Sequence, residues 1–402
     1  MGGKKAAVLT GGVCLFLVLA VLPFMARTAR AEAPKTIRIG ALMCLTGWNS
    51  VFDILELQEA ELARDMINER GGITIKGQKY LIEIVSEDAK SSADGAVAAA
   101  NKLIYDDKVK FIVGPSAFFA SAVKSICEQN KVIRALAYTT NTPGELGPDT
   151  PYTFLCHNGA TGHGMVGMVA LKKLYPWVKS VDLTMPDDGS IRYLDPLIRN
   201  MLQQHGLAVV GKTISYFNEM VDYSPMVATL AASKADAVFM EDGMPSGSAD
   251  VLKGLRELGL KKPVVGVLSG SPDDILHIVG PDAATNYILL GIMPNMPDTP
   301  PLLAEIQKRL FQKYGGGRAI HLQIFNGMWA FAKVIQAAQS LDTTAVKDKW
   351  EKMDTIETPQ GMGHMGGLKT HGIKHALCHP QAALMLDNGK SKFGCWVDVR
   401  EP

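Results

Sequence analysis

The sequence predicts an α/β protein of two Rossmann-like lobes, each a parallel sheet covered by helices. Short β-branched runs alternate with longer segments of helical period along most of the chain. The alternation falls into two series, and no low-complexity stretch separates them. The chain is therefore expected to pass between lobes more than once, leaving a cleft with a hinge.

The first 31 residues stand apart from this pattern. "MGGKK" is a short basic start, Ala6 to Met25 is almost wholly apolar, and "TARAEA" places Ala29 and Ala31 at the small-residue positions of a cleavage site. They read as a secretory signal cut after Ala31. An uncleaved anchor is the alternative, because the apolar run is long enough to span a bilayer. Most of the apolar region follows Cys14, the wrong order for a lipoprotein site.

Removing that segment takes four of the 41 basic residues (Lys4, Lys5, Arg27, Arg30) and none of the 40 acids, leaving a nearly neutral chain. Such a balance gives no electrostatic reason to expect nucleic acid. At 47% hydrophobic the chain fills sizeable cores. Cys44, Cys127, Cys156, Cys378 and Cys395 remain, an odd and widely spaced set with no C-x-x-C pair. A disulfide-scaffold miniprotein and a paired-cysteine metal or redox site are both excluded.

In the first series, "TIRIGALM" (36–43) precedes a helix around Ile54 to Glu69 that stops at Gly71-Gly72. "YLIEIVSED" (80–88) precedes Ala93 to Tyr105, and "KFIVG" precedes a helix over 121–129. "VIRALA" closes the unit near residue 137. The second series is "VDLTM" (181–185), "AVVGKTIS" (208–215), "ADAVFM" (235–240) and "PVVGVLS" (263–269). Helices are then expected over 300–314, 322–339 and 344–353, followed by a hairpin about Asn388-Gly389, a strong turn dipeptide.

The ordered set "IRIGALMCLTG", "LARDMINERGGI", "LIEIVSEDAKSSADGAVAAANKLI", "FIVGP", "YTTNTPGEL" and "YTFLCHNGATGHG" resembles the leucine/isoleucine/valine-binding family of periplasmic solute receptors. The likeness runs from about Thr36 to the hairpin near Val399. It implies two lobes joined by three crossings that close on one small ligand like a flytrap. One lobe would take 36–155 and about 290–372, the other 157–285 and about 375–402. It also implies delivery of the ligand to an ABC-type membrane permease. A periplasmic monomer without cofactor or metal is expected.

Other chemistries meet specific obstacles. "GPSAF" (114–118) has the strand-turn-helix setting of a hydrolase nucleophile elbow, but Phe118 stands where the final glycine would let helix and strand pack closely. "GMGHMG" (361–366) matches G-x-G-x-x-G, yet it follows "IETPQ" and leads into "GLKTHGIKH", so it reads as a flexible loop. His371, His375 and His379 recur every fourth residue, but Gly372 and Pro380 oppose a continuous helix and no H-E-x-x-H is present. They read as a polar edge near a lobe crossing.

The candidate ligand contacts are loops at strand ends, where a parallel sheet leaves N–H groups unpaired. Ser116, Ala117 and Phe118 follow one strand; Thr139, Thr140 and Asn141 follow the next and offer two hydroxyls and an amide to a carboxylate. By the resemblance, Trp48 supplies an apolar wall, and "CHNG", "MPDDG" and "FMEDG" place His157, Asp188, Glu241 and Asp242 in the second lobe. The three acids are the available partners for an ammonium group.

Two departures from the family's amino-acid binders concern the ligand. Phe118 and Phe119 stand where a Ser/Thr-rich run is common, and Asp188-Gly189 where an aromatic-Gly pair is common. An aromatic or aliphatic carboxylate, or an amide, then competes with a branched-chain amino acid. A ligand-sensing module and a serine hydrolase using Ser116 are the alternative functions.

Overall fold

The computed structural model describes Gly2 and residues 34–400 except 188, 217–221, 242–244, 269 and 316–319. The expected signal segment, Asp188 and Asp242 thus lie outside the described residues. Pro34–Pro402 forms one compact unit containing two sheets.

The first sheet is centred on the strand Lys35–Met43, which pairs in parallel with Gln78–Asp88 on one side and Phe111–Val113 on the other. Ile133–Leu136 and Thr153–Leu155 extend it in parallel. Phe111, Ile112, Val113, Ile133 and Leu136 are buried, which is why these short runs lack the alternation of a half-exposed strand. Neighbours of Lys35–Met43 on both sides make its carboxyl end a topological switch point.

The second sheet orders Ala208–Val209, Ser180–Pro186, Ala237–Met240, Val264–Gly266 and Tyr287–Leu290 in parallel. The hairpin Gln381–Asp387/Lys390–Val397 closes one edge. Asn388 (φ 50°) and Gly389 (φ 68°) occupy its turn, the left-handed pair that a two-residue hairpin requires.

The chain crosses between the sheets after Leu155, after Leu290 and between Cys378 and Gln381. The helix Gly159–Leu174 packs on the second sheet, and Gln323–Ala338 on the first. The α/β class, the two lobes and the three crossings therefore agree with the sequence reading.

Local differences have physical causes. The helix expected over 121–129 begins only at Lys124 (Lys124–Gln129), and a separate short helix, Ala117–Ala120, precedes it. The strand expected over 208–215 is interrupted at Gly211, whose φ is +68°. "GMGHMG" is a strand, Gly361–Gly366, paired on both sides, rather than a loop. A Cβ on Gly363 would sit 2.7 Å from Leu377 Cδ1, so a glycine there serves close strand packing.

His375 and His379 are buried rather than edge residues. His375 stacks on Phe154 at 3.9 Å, and His379 N donates to Asn158 Oδ1 at 2.9 Å through the third crossing. No metal-binding group of His, Cys, Asp or Glu occurs among the described residues. Cys44, Cys127, Cys156 and Cys395 are free thiols, all of them buried like Cys378, with burial pushing Cys44 and Cys127 up to about 11.

Candidate functional site

A cavity of about 130 Å³ lies where the strand ends of both lobes and the crossings meet. The first lobe contributes Asn49, Phe52, Asp53, Glu56, Ser116 to Phe118, Ala137 and Tyr138. The second contributes Val267, Leu268, Leu290 and Ile292, with Gln381 from the third crossing. His163, Ile320, His321 and Gln360 complete much of the wall.

The loop after the first strand is tied down before it reaches the cavity. Asp88, at the end of the neighbouring strand, accepts hydrogen bonds from Leu45 N (2.9 Å) and Thr46 Oγ1 (2.7 Å). Asn49 N donates to Ser91 Oγ at 3.1 Å. These bonds fix the start of the helix Ser50–Glu69, which aims Phe52, Asp53 and Glu56 at the cavity.

Asp53 is buried and accepts from Cys44 N at 2.6 Å and Asn49 Nδ2 at 2.9 Å. Burial pushes its carboxyl up to about 7, with nearby Glu56 adding to the rise and the Cys44 hydrogen bond opposing it. Glu56 accepts from Ile324 N (2.9 Å) and lies 3.4 Å from His321 Nδ1. Glu59 accepts from His321 N (3.1 Å) and Leu322 N (2.6 Å). The two glutamates thereby hold the amino end of the helix Gln323–Ala338, satisfying donors that helix geometry leaves open.

Ser116 follows Gly114-Pro115. Gly114 has φ +86°, and a Cβ there would fall 2.4 Å from Leu42 O, so the turn that presents Ser116 requires glycine. Ser116 precedes the short helix Ala117–Ala120 but makes no side-chain cap, and its buried Oγ has no hydrogen-bond partner. His163 Nδ1 and Gln360 Oε1 share that condition. With Glu56 Oε1, four unpartnered polar atoms belong to residues of one cavity wall and mark it as a place for a polar group.

His163 is also the first of a buried imidazole chain. Its Nε2 and His157 Nδ1 share a hydrogen bond at 3.1 Å, and the His157 ring lies 4.9 Å from that of His379. His379 Nδ1 donates to Pro380 O (2.9 Å), which leaves Nε2 to accept from Asn326 Nδ2 (3.1 Å) in the neutral ring. Burial pushes His163 down to about 3 and His379 to about 4, and holds His157 well below its ordinary value. The chain is therefore uncharged at neutral pH.

The expected contacts divide accordingly. Ser116, Ala117 and Phe118 line the cavity. Trp48 flanks it, half-exposed, with its ring edge-on to Phe118 at 5.1 Å. Thr139 and Thr140 turn away: both hydroxyls and Thr140 N donate to the buried carboxylate of Glu145. Asn141 N donates to Thr139 Oγ1 in the same loop. His157 lies behind His163. Glu241 is buried beside Gly164, where a Cβ would lie 3.1 Å from its Oε2.

Asp53, Glu56, His163, His321, Gln360 and Gln381 were not expected. A signal for the first two exists: Asp53, Glu56 and Glu59 recur every third residue and continue the buried stripe of Ala60, Ala63 and Ile67. The others reach the site through tertiary packing and carry no local mark.

The family model described as "Periplasmic binding protein" matches residues 36–383. The Leu/Ile/Val-binding protein homolog 3 of Brucella melitensis is 33% identical over 134 residues, a third of this chain and a third of that protein's length. Among solved structures, the branched-chain amino acid transporter substrate binding protein of Streptococcus pneumoniae, in complex with isoleucine, superposes with a TM-score of 0.72 at 18% identity. That match covers 92% of this chain and 100% of the other. The amino acid ABC transporter substrate-binding protein of Pseudomonas fluorescens gives a TM-score of 0.74 at 19% identity, covering 92% and 97%. At these identities the structural likeness carries the fold.

Proposed function

The chain belongs to the periplasmic binding protein family, and from that premise we propose that it is the solute-binding component of an ABC transporter. It binds a branched-chain amino acid, or a related small carboxylate or amide, reversibly in the cleft and presents it to a membrane permease. Export through the signal segment, with cleavage after Ala31, and action as a periplasmic monomer complete the reading. The observation that carries it is the cavity shared by both lobes at the crossings, whose wall residues bear the unpartnered atoms Ser116 Oγ, His163 Nδ1 and Gln360 Oε1. Binding rather than hydrolysis is the use this supports, since Ser116 Oγ has no base hydrogen-bonded to take its proton.

The test combines titration calorimetry against amino acids, organic acids and amides with small-angle scattering of the purified protein. We expect one saturable site and a smaller radius of gyration when it is filled. Unchanged dimensions with a saturating solute would count against lobe closure, and solute turnover would favour an enzyme.

A further inference from the structure

We propose, resting on the receptor reading above, that the solute is a small aromatic carboxamide, its ring against Phe52 and Phe118 and its amide against Ser116, His163 and Gln360. Size is the first reason. A cavity of about 130 Å³ is close to the roughly 150 Å³ apolar cavity that accepts benzene, so one six-membered ring fills it and leaves its substituent near the wall.

The apolar part of the wall has the right character. Phe118 lines the cavity yet is 46% exposed, and Trp48 beside it is 49% exposed. Two large rings left open to water at a cavity mouth suit a flat apolar partner, which they meet edge-on or offset.

The polar end selects the head group. His163 and Gln360 are 3% and 4% exposed, and each carries a buried polar atom without a partner, as Ser116 does. A primary amide offers donors and an acceptor together, and it pairs with the Gln360 amide whichever way that amide is turned. A carboxylate only accepts. It would also share the cavity with the carboxyl groups of Asp53 and Glu56, and among the described wall residues there is no Lys or Arg to offset them. Asp53 is already held by Cys44 N and Asn49, and Glu56 Oε2 by Ile324 N, while Glu56 Oε1, 3.4 Å from His321 Nδ1 and without a hydrogen bond, can accept from an amide N–H.

The test is titration calorimetry of the purified protein with benzamide, benzoate and isoleucine as probes. Benzamide is expected to bind saturably, at least tenfold more tightly than either of the others. Phe118→Ala, at a half-exposed position that tolerates truncation, is expected to weaken benzamide about two- to tenfold, the range of one ring contact. Tighter binding of benzoate or isoleucine overturns the carboxamide assignment while leaving the receptor reading intact. Benzamide binding unchanged in Phe118→Ala overturns the ring placement. No saturable binding of any probe overturns the assignment, and unchanged dimensions with every solute tried would mark failure of the receptor reading itself.

Discussion

Two neighbouring loops of the first lobe, "GPSAF" after Phe111–Val113 and "YTTN" after Ile133–Leu136, begin from the same position in the fold and end in opposite states. Both follow buried parallel strands and both carry hydroxyls. In the first, Ser116 Oγ is left without a partner on the cavity wall. In the second, Glu145 reaches back five and six residues, and the hydroxyls of Thr139 and Thr140 donate to it. A strand-end hydroxyl stays open to a ligand only where its own loop supplies no acceptor. The intruding carboxylate satisfies the threonine hydroxyls of the second loop, whereas Ser116 Oγ in the first stays open.

The largest effect that would break this contrast comes from Glu145→Ala. It strands the Thr139 hydroxyl hydrogen and Thr140 N, both buried, leaves Thr140 Oγ1 only Thr142 Oγ1, and leaves space where a carboxyl group stood. Loss of a satisfied buried network of this kind costs about 2–4 kcal/mol of folding stability. Urea unfolding measures it, and a loss under about 0.5 kcal/mol would mean that the Glu145 bonds do not order the loop.

Ser116→Ala should do the reverse. With no partner to lose, stability is expected to stay within about 0.5 kcal/mol of the wild type, while solute affinity falls. The size of the fall reports the head group. A neutral hydrogen bond is worth about 0.5–1.5 kcal/mol, roughly two- to tenfold, whereas one to a carboxylate is worth about 1.5–3, roughly ten- to a hundredfold. Calorimetry on the variant thus sharpens the comparison and the ligand class together. Unchanged affinity would remove Ser116 from the site.

The same contrast explains what was legible in the sequence. Sheet class, the two series and the Asn388-Gly389 turn follow from local periodicity and backbone preference, and these survive folding. Ser116 to Phe118 could be read because a loop after a buried strand near the switch point must open at the sheet's edge. The fate of Thr139 and Thr140 could not. "PGEL" shows an acid nearby, but its side-chain direction depends on the Asn141 turn, where φ is +62°. Gln360 and Gln381 come from strand ends more than 200 residues from Ser116, and only the paired sheets bring them to one wall.

The smallest expected effect concerns the protonation of Glu145. Burial raises its carboxyl above the ordinary glutamate value, against the opposing hydrogen bonds of Thr139 and Thr140. Between that ordinary value, about 4.3, and the raised one, the folded chain keeps a proton that the unfolded chain has released. The stability this lends is present at low pH and is lost as pH rises through the raised value. Glu145→Gln resembles the protonated carboxyl: its oxygen accepts from Thr139 Oγ1 and Thr140 N, and its amide donates to Thr140 Oγ1, which can turn its own hydrogen toward Thr142 Oγ1 at 3.0 Å. The variant should therefore match the wild type below about pH 4 and become the more stable of the two as pH rises. Urea midpoints of both proteins across that range test the sign. A wild type that gains stability over the variant with rising pH would show that the threonine donors, not burial, govern this carboxylate. The loop would then be a site made for an anion, with Glu145 as its resident.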